Sequence, residues 1–101
     1  MLPPPLAWVD GFIHSIQGAL GQQVRHEVKS TVNPLVYRIR VDFPEKISGK
    51  NLMLVWNLFQ MYAAKNDGVP QGKAADTERC LVADVIIKRR LGLPRKKHPL
   101  E

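Results

Sequence analysis

From Val24 to Phe43 the chain alternates apolar and polar residues with hardly a break, and no other stretch of it does so. Val24, His26 and Val28 interleave with Arg25, Glu27 and Lys29. After Ser30-Thr31-Val32-Asn33-Pro34, the residues Leu35, Tyr37, Ile39, Val41 and Phe43 interleave with Val36, Arg38, Arg40 and Asp42. Successive side chains of a strand point to opposite faces, so alternation of this length predicts an antiparallel hairpin with one buried face. Pro44 ends the second strand, because proline cannot donate to a ladder. Two strands alone are marginal in water, so helices or a second copy of the chain must cover the apolar face.

The flanking segments change period. From Leu6 to Leu20, Val9, Phe12, Ile13, Ile16 and Leu20 recur at helical spacing, with Gly21 as a stop. Three prolines at 3–5 hold the preceding chain extended. Ser48 is a good N-cap for a second helix running to about Asn66, with Gly68 placed as a C-terminal glycine. That helix is apolar almost all round, leaving only a narrow polar stripe at Asn57 and Gln60. Such a helix is buried on most sides, either in the domain core or in a subunit interface. Residues 67–73 read as a loop by composition. A final helix is expected from about residues 74–77, with Leu81, Val82, Val85 and Ile86 on one side, stopping before Gly92. The expectation is a small single α+β domain over 1–91 in the order α-β-β-α-α. Its antiparallel hairpin packs against helices and is extended by dimerisation. Residues 92–101 form a basic tail, and Leu100-Glu101 has the form of a cloning junction ahead of an affinity tag.

A chain of 101 residues holds one core. Its only cysteine, Cys80, allows neither an internal disulfide nor a cysteine metal cluster, which suits a reducing, cytoplasmic setting. The N-terminus lacks the basic and apolar regions of a secretory signal, and no apolar run approaches the ~20 residues that cross a bilayer. The charge is unevenly placed. Residues 1–84 carry nine Lys/Arg against eight Asp/Glu, whereas residues 85–101 carry six against one. A clustered excess creates a local field that attracts anions.

Lys88, Arg89, Arg90, Arg95, Lys96 and Lys97 could neutralise several phosphates of DNA or RNA, with strong salt dependence and little base reading. The plainer alternative is a basic end favoured by a helix dipole. No aromatic residue interleaves with these charges, so base stacking is not indicated. Arg25, Arg38 and Arg40 fall on the outward face of the hairpin, where a β-ribbon could meet a nucleic-acid groove. Cross-strand pairing, for instance of Glu27 with Arg38 or Arg40, would instead make that face an ordinary solvated one.

Catalysis has less to stand on. Gly68-Val-Pro-Gln-Gly72-Lys73-Ala74 misses the phosphate-binding loop in spacing and in its final hydroxyl. Asp10 and His14 are four apart on a helix, which usually means a surface contact, and His26 reads as half-buried on the apolar face. The acids Asp76, Glu78 and Asp84 lack metal-ligand spacing. Cys80 beside Arg79 would gain reactivity at a helix N-terminus, or serve simply as a small hydrophobe. The chain is therefore expected to be a non-enzymatic accessory protein without metal or cofactor, binding nucleic acid through its basic segment. The alternative is a protein-interaction or assembly module. It would use the apolar helix 50–65, with Trp56, Phe59 and Tyr62 at the interface, or the hairpin edge. A homodimer is expected in either case, and no membrane partner.

Overall fold

The computed structural model of the chain describes residues 6–88, residues 73–76 by their backbone. The elements are α1 (Trp8–Leu20), β1 (Arg25–Ser30), β2 (Val36–Asp42), α2 (Gly49–Lys65), β3 (Gly68–Thr77) and β4 (Cys80–Ile87). The four strands form one antiparallel sheet in the order β1-β2-β4-β3. The fold is α+β, and the expected order holds through α2.

Period-two patterning sets the sheet's two sides. In β2, Tyr37, Ile39 and Val41 are buried while Arg38 and Arg40 are exposed. In β4, Leu81, Ala83, Val85 and Ile87 are buried. These side chains share one face and one cluster with Val9, Phe12, Ile13 and Ile16 of α1 and Val55, Phe59 and Ala63 of α2. Phe12 meets Phe59 edge to face at 5.7 Å. Tyr62 Oη lies 2.6 Å from Ser15 Oγ and adds a hydrogen bond between the helices. The domain thus has two layers, helices on one side of the sheet and an open face on the other.

The helix ends follow their sequence signals. Ser48 Oγ accepts from the N–H of Asn51 at 3.0 Å, which satisfies a free donor of the first turn. Gly21 closes α1 at φ 70°, its N–H donating to Gln17 O.

The segment expected to be a loop and a helix is instead the hairpin β3–β4. Leu81 and Val85 fit both periods; Ala83 and Ile87 complete a strand face, and Val82 and Ile86 a helix face. Pairing decides. The central position beside β2 satisfies the backbone of Cys80–Ile86 against Val36–Asp42, and the β-branched residues there suit a pleated surface. Gly and Pro at 68–72 do not prevent a strand because β3 is an edge, with register shifts between Pro70 and Gly72 and between Lys73 and Ala75.

Gly68 also plays a different part from the expected helix stop. The left-handed residue after α2 is Asp67, at φ 62°. Gly68 opens β3 where a Cβ would lie 2.9 Å from Val85 Cγ2 and 3.1 Å from Ala63 O. Its lack of a side chain lets β3 begin close against both α2 and β4. Gly68→Ala is expected to destabilise the fold by about 1–3 kcal/mol through overpacking. Gly18→Ala, which meets nothing within 4 Å in α1, is expected to stabilise by about 0.5–1 kcal/mol. Urea unfolding of the two variants checks both signs.

Candidate functional site

The open face of the sheet is where the exposed charges of the strands collect. The register aligns them in rows across β1, β2 and β4: Arg25, Asp42 and Cys80; Glu27, Arg40 and Val82; Lys29, Arg38 and Asp84. A further row joins Val36 to Ile86 and on to Val69 of β3. The face is therefore charged on β1 and β2 and more apolar toward β3.

Most of these charges are already engaged. Arg38 donates from Nε to Asp84 Oδ1 at 2.8 Å and from Nη2 to Asp84 Oδ2 at 3.0 Å, a two-pronged bond between facing residues. The hydrogen bonds to Asp84, and then its charge, hold the Arg38 guanidinium above its ordinary pKa. Arg40 bonds Asp42 on its own strand, Nε to the carboxylate at 3.0 and 3.2 Å, and is raised chiefly for that reason. Glu27 lies opposite Arg40 in register, yet its ion-pair contact is with Lys29, at 3.7 Å. Among the described residues Arg25 makes no ion pair, and the exposed Lys88 makes none either. All these cations are exposed, but Arg38 and Arg40 are engaged by carboxylates while, among the described residues, Arg25 and Lys88 are not.

Lys88 directly follows β4 at the hairpin-turn end of the sheet, where Ile87 N donates to Leu35 O. Lys29 and Arg38 face that end, beside a shallow depression that also involves Thr31, Asn33 and Val36. Arg89, Arg90, Arg95, Lys96 and Lys97 lie outside the described residues, as does the expected tail.

The residues expected at an interface on the second helix are largely used within the chain. Phe59 is fully buried, packed edge to face on Phe12 and stacked with Trp56 at 5.5 Å. It is core, and no partner reaches it. Trp56 and Tyr62 are half-buried against the same cluster. The apolar residues that α2 turns outward are Met53, Leu54 and Met61, exposed by 62, 38 and 43%. Helical spacing around Asn57 carried that information, since the polar stripe marks the outward side and these three flank it. Asp84 escaped notice as the partner of Arg38 because the pairing exists only once β4 is a strand.

His26 is exposed, not half-buried, because β1 lies at the sheet's edge beyond the helices. Asp10 and His14 are both exposed on α1 with no bond between them among the described residues. No described group of three or more His, Cys, Asp or Glu could hold a metal ion, and no described helix is long and apolar enough to cross a membrane. Comparison with family models, with curated proteins and with solved structures finds no match.

Cys80 sits at the start of β4, half-buried beside Asp42, rather than at a helix N-terminus. Burial pushes its thiol up, against the opposing pull of Arg40. A raised pKa means less thiolate at neutral pH, and thiolate is the nucleophile. Alkylation by iodoacetamide is expected to be slower in the folded protein than in urea, with its pH midpoint above that of the unfolded chain. A folded-state rate exceeding the unfolded one would contradict this placement.

Proposed function

We propose that the protein is a small non-enzymatic module that binds nucleic acid through its phosphates. The observation that supports this most is the position of Lys88. The segment that carries six Lys/Arg between residues 88 and 97 leaves β4 at the end of the sheet that Lys29 and Arg38 face. Lys29 and Arg38 thus lie toward the end from which that segment departs, and Arg25 extends the row of cations along β1. Cations in such a row follow a phosphate backbone without reading bases, because they meet charge rather than donor and acceptor edges. Arg38 and Arg40 add less than their number suggests, since Asp84 and Asp42 hold them.

A second reading, recognition of a protein partner through α2, is supported by the outward Met53, Leu54 and Met61. Three exposed apolar side chains on one helix face suit a hydrophobic groove on another protein.

Fluorescence anisotropy of labelled single- and double-stranded oligonucleotides over a salt series separates the two. The intact chain is expected to bind with a steep slope, and a chain ending at Leu91 with a flatter one. Arg25→Gln and Lys29→Gln are each expected to lower the slope by about one. Absence of binding at low salt would refute the nucleic-acid reading and favour the protein partner; binding undiminished when the six cations of 88–97 are neutralised would refute the role of that segment.

A further inference from the structure

The outer edge of β1 is a regular strand with nothing paired to it among the described residues. Its hydrogen-bonding parity follows from two bonds. Thr31 N donates to Val36 O at 3.1 Å and Phe43 N to Arg79 O at 2.8 Å, so even-numbered residues of β2 bond toward β1 and odd-numbered ones toward β4. Arg25, Glu27 and Lys29, opposite Asp42, Arg40 and Arg38, therefore direct their backbone N–H and C=O groups inward. His26, Val28 and Ser30 direct theirs outward.

The two edges of the sheet are unlike. β3 carries Pro70, a glycine at φ 140° and two register shifts, features that prevent another strand from pairing along it. β1 has no proline and no bulge, and its register with β2 is unbroken from Arg25 to Ser30. Its only guard is charge, and the charges alternate along one face as Arg25, Glu27 and Lys29.

From this edge we infer that β1 pairs antiparallel with β1 of a second copy of the chain about a two-fold axis through Val28. Charge selects the register. An axis through Glu27 would set Glu27 against Glu27, and one through Lys29 would set Lys29 against Lys29, each a repulsive facing pair. An axis through His26 pairs Arg25 with Glu27 but runs Val28, Lys29 and Ser30 past the end of the other strand. An axis through Ser30 leaves all of Arg25 to Lys29 unpaired in the same way. The axis through Val28 places Glu27 opposite Lys29 of the second copy twice, and His26 opposite Ser30 twice. It also brings the two half-buried Val28 side chains together on the helix side. The outward N–H and C=O groups of His26, Val28 and Ser30 then all find partners.

The product is a continuous sheet, β3-β4-β2-β1-β1-β2-β4-β3, with a single open face and a self-complementary interface. The two copies of Arg25, Lys29, Arg38 and Arg40 share that face. A six-residue edge buries little area, so the dimer is weak and concentration-dependent.

The test is sedimentation velocity of the full chain from micromolar to millimolar concentration, joined to two sets of variants. Glu27→Lys and Lys29→Glu each place like charges opposite one another twice and are expected to raise the dissociation constant about tenfold. The double exchange is expected to restore it. In a Cys80→Ser background, Val28→Cys is expected to form a disulfide-linked dimer on mild oxidation. Facing Cα atoms of such a pair lie about 5.5 Å apart, within disulfide range. His26→Cys, which faces Ser30, is expected not to form one. A monomer at millimolar concentration overturns the inference. So does a dimer that ignores the single charge reversals and leaves Val28→Cys unlinked. Neither result bears on whether the basic surface binds nucleic acid.

Discussion

Phe12 and Phe59 lie at the junction of the two helices, both with no exposed surface, edge to face above the buried side of the sheet. Around them Val9, Ile16, Val55, Ile39, Val41, Leu81 and Val85 are likewise fully or almost fully buried. This one-sided packing is the constraint on which the remaining structure depends. An antiparallel sheet can keep one face wet, provided the other is covered, and α1 and α2 supply that cover. Fully burying a side chain of this size is worth about 1.5–3 kcal/mol, so a core of these residues can hold a small domain together without disulfide or metal.

Close approach of α2 to β3 is the second requirement, and it rests on Gly68. With a Cβ within 3 Å of Val85 the strand could not lie where it does, and Ala63, itself buried, offers no give from the helix side. At the far end, Phe43 N and Ile47 N donate to Arg79 O and Glu78 O, tying the β2–α2 connection to the β3–β4 turn. Arg79 adds a bond from Nη1 to Pro44 O. The second hairpin is thus held both beneath the helix and at its turn, which places β4 between β2 and β3 and makes it, like β2, a strand with neighbours on both sides.

That central place of β4 determines the electrostatics of the open face. Asp84 arrives opposite Arg38, and Cys80 opposite Asp42, only because β4 pairs with β2 in this register. Four cations and three acids then share the face, and most of the charge is balanced locally. The features that remain open to a partner lie at its margins: Arg25 and the outer edge of β1 on one side, and Lys88 at the turn end. On the opposite layer Met53, Leu54 and Met61 project from α2. The interior of the described region contains no buried polar or charged side chain.

The first hairpin, both helices, the Ser48 cap and the Gly21 stop were legible in the residues alone. Each is set by neighbours a few positions away: a period of two or of 3.6, a hydroxyl three residues before a free N–H, a glycine that tolerates positive φ. The basic cluster of 88–97 was legible for the same reason, as a local count of charge. The second hairpin was not. Leu81-Val82-Ala83-Asp84-Val85-Ile86 satisfies either period, and what makes it a strand is the backbone of β2, forty or more residues earlier in the chain. Tertiary structure likewise decided that Phe59 is core while Met53 and Met61 are surface, that His26 lies in the open, and that Arg38 is held by Asp84. Sequence pattern reports which face a residue shares, but only packing between distant segments decides what covers that face.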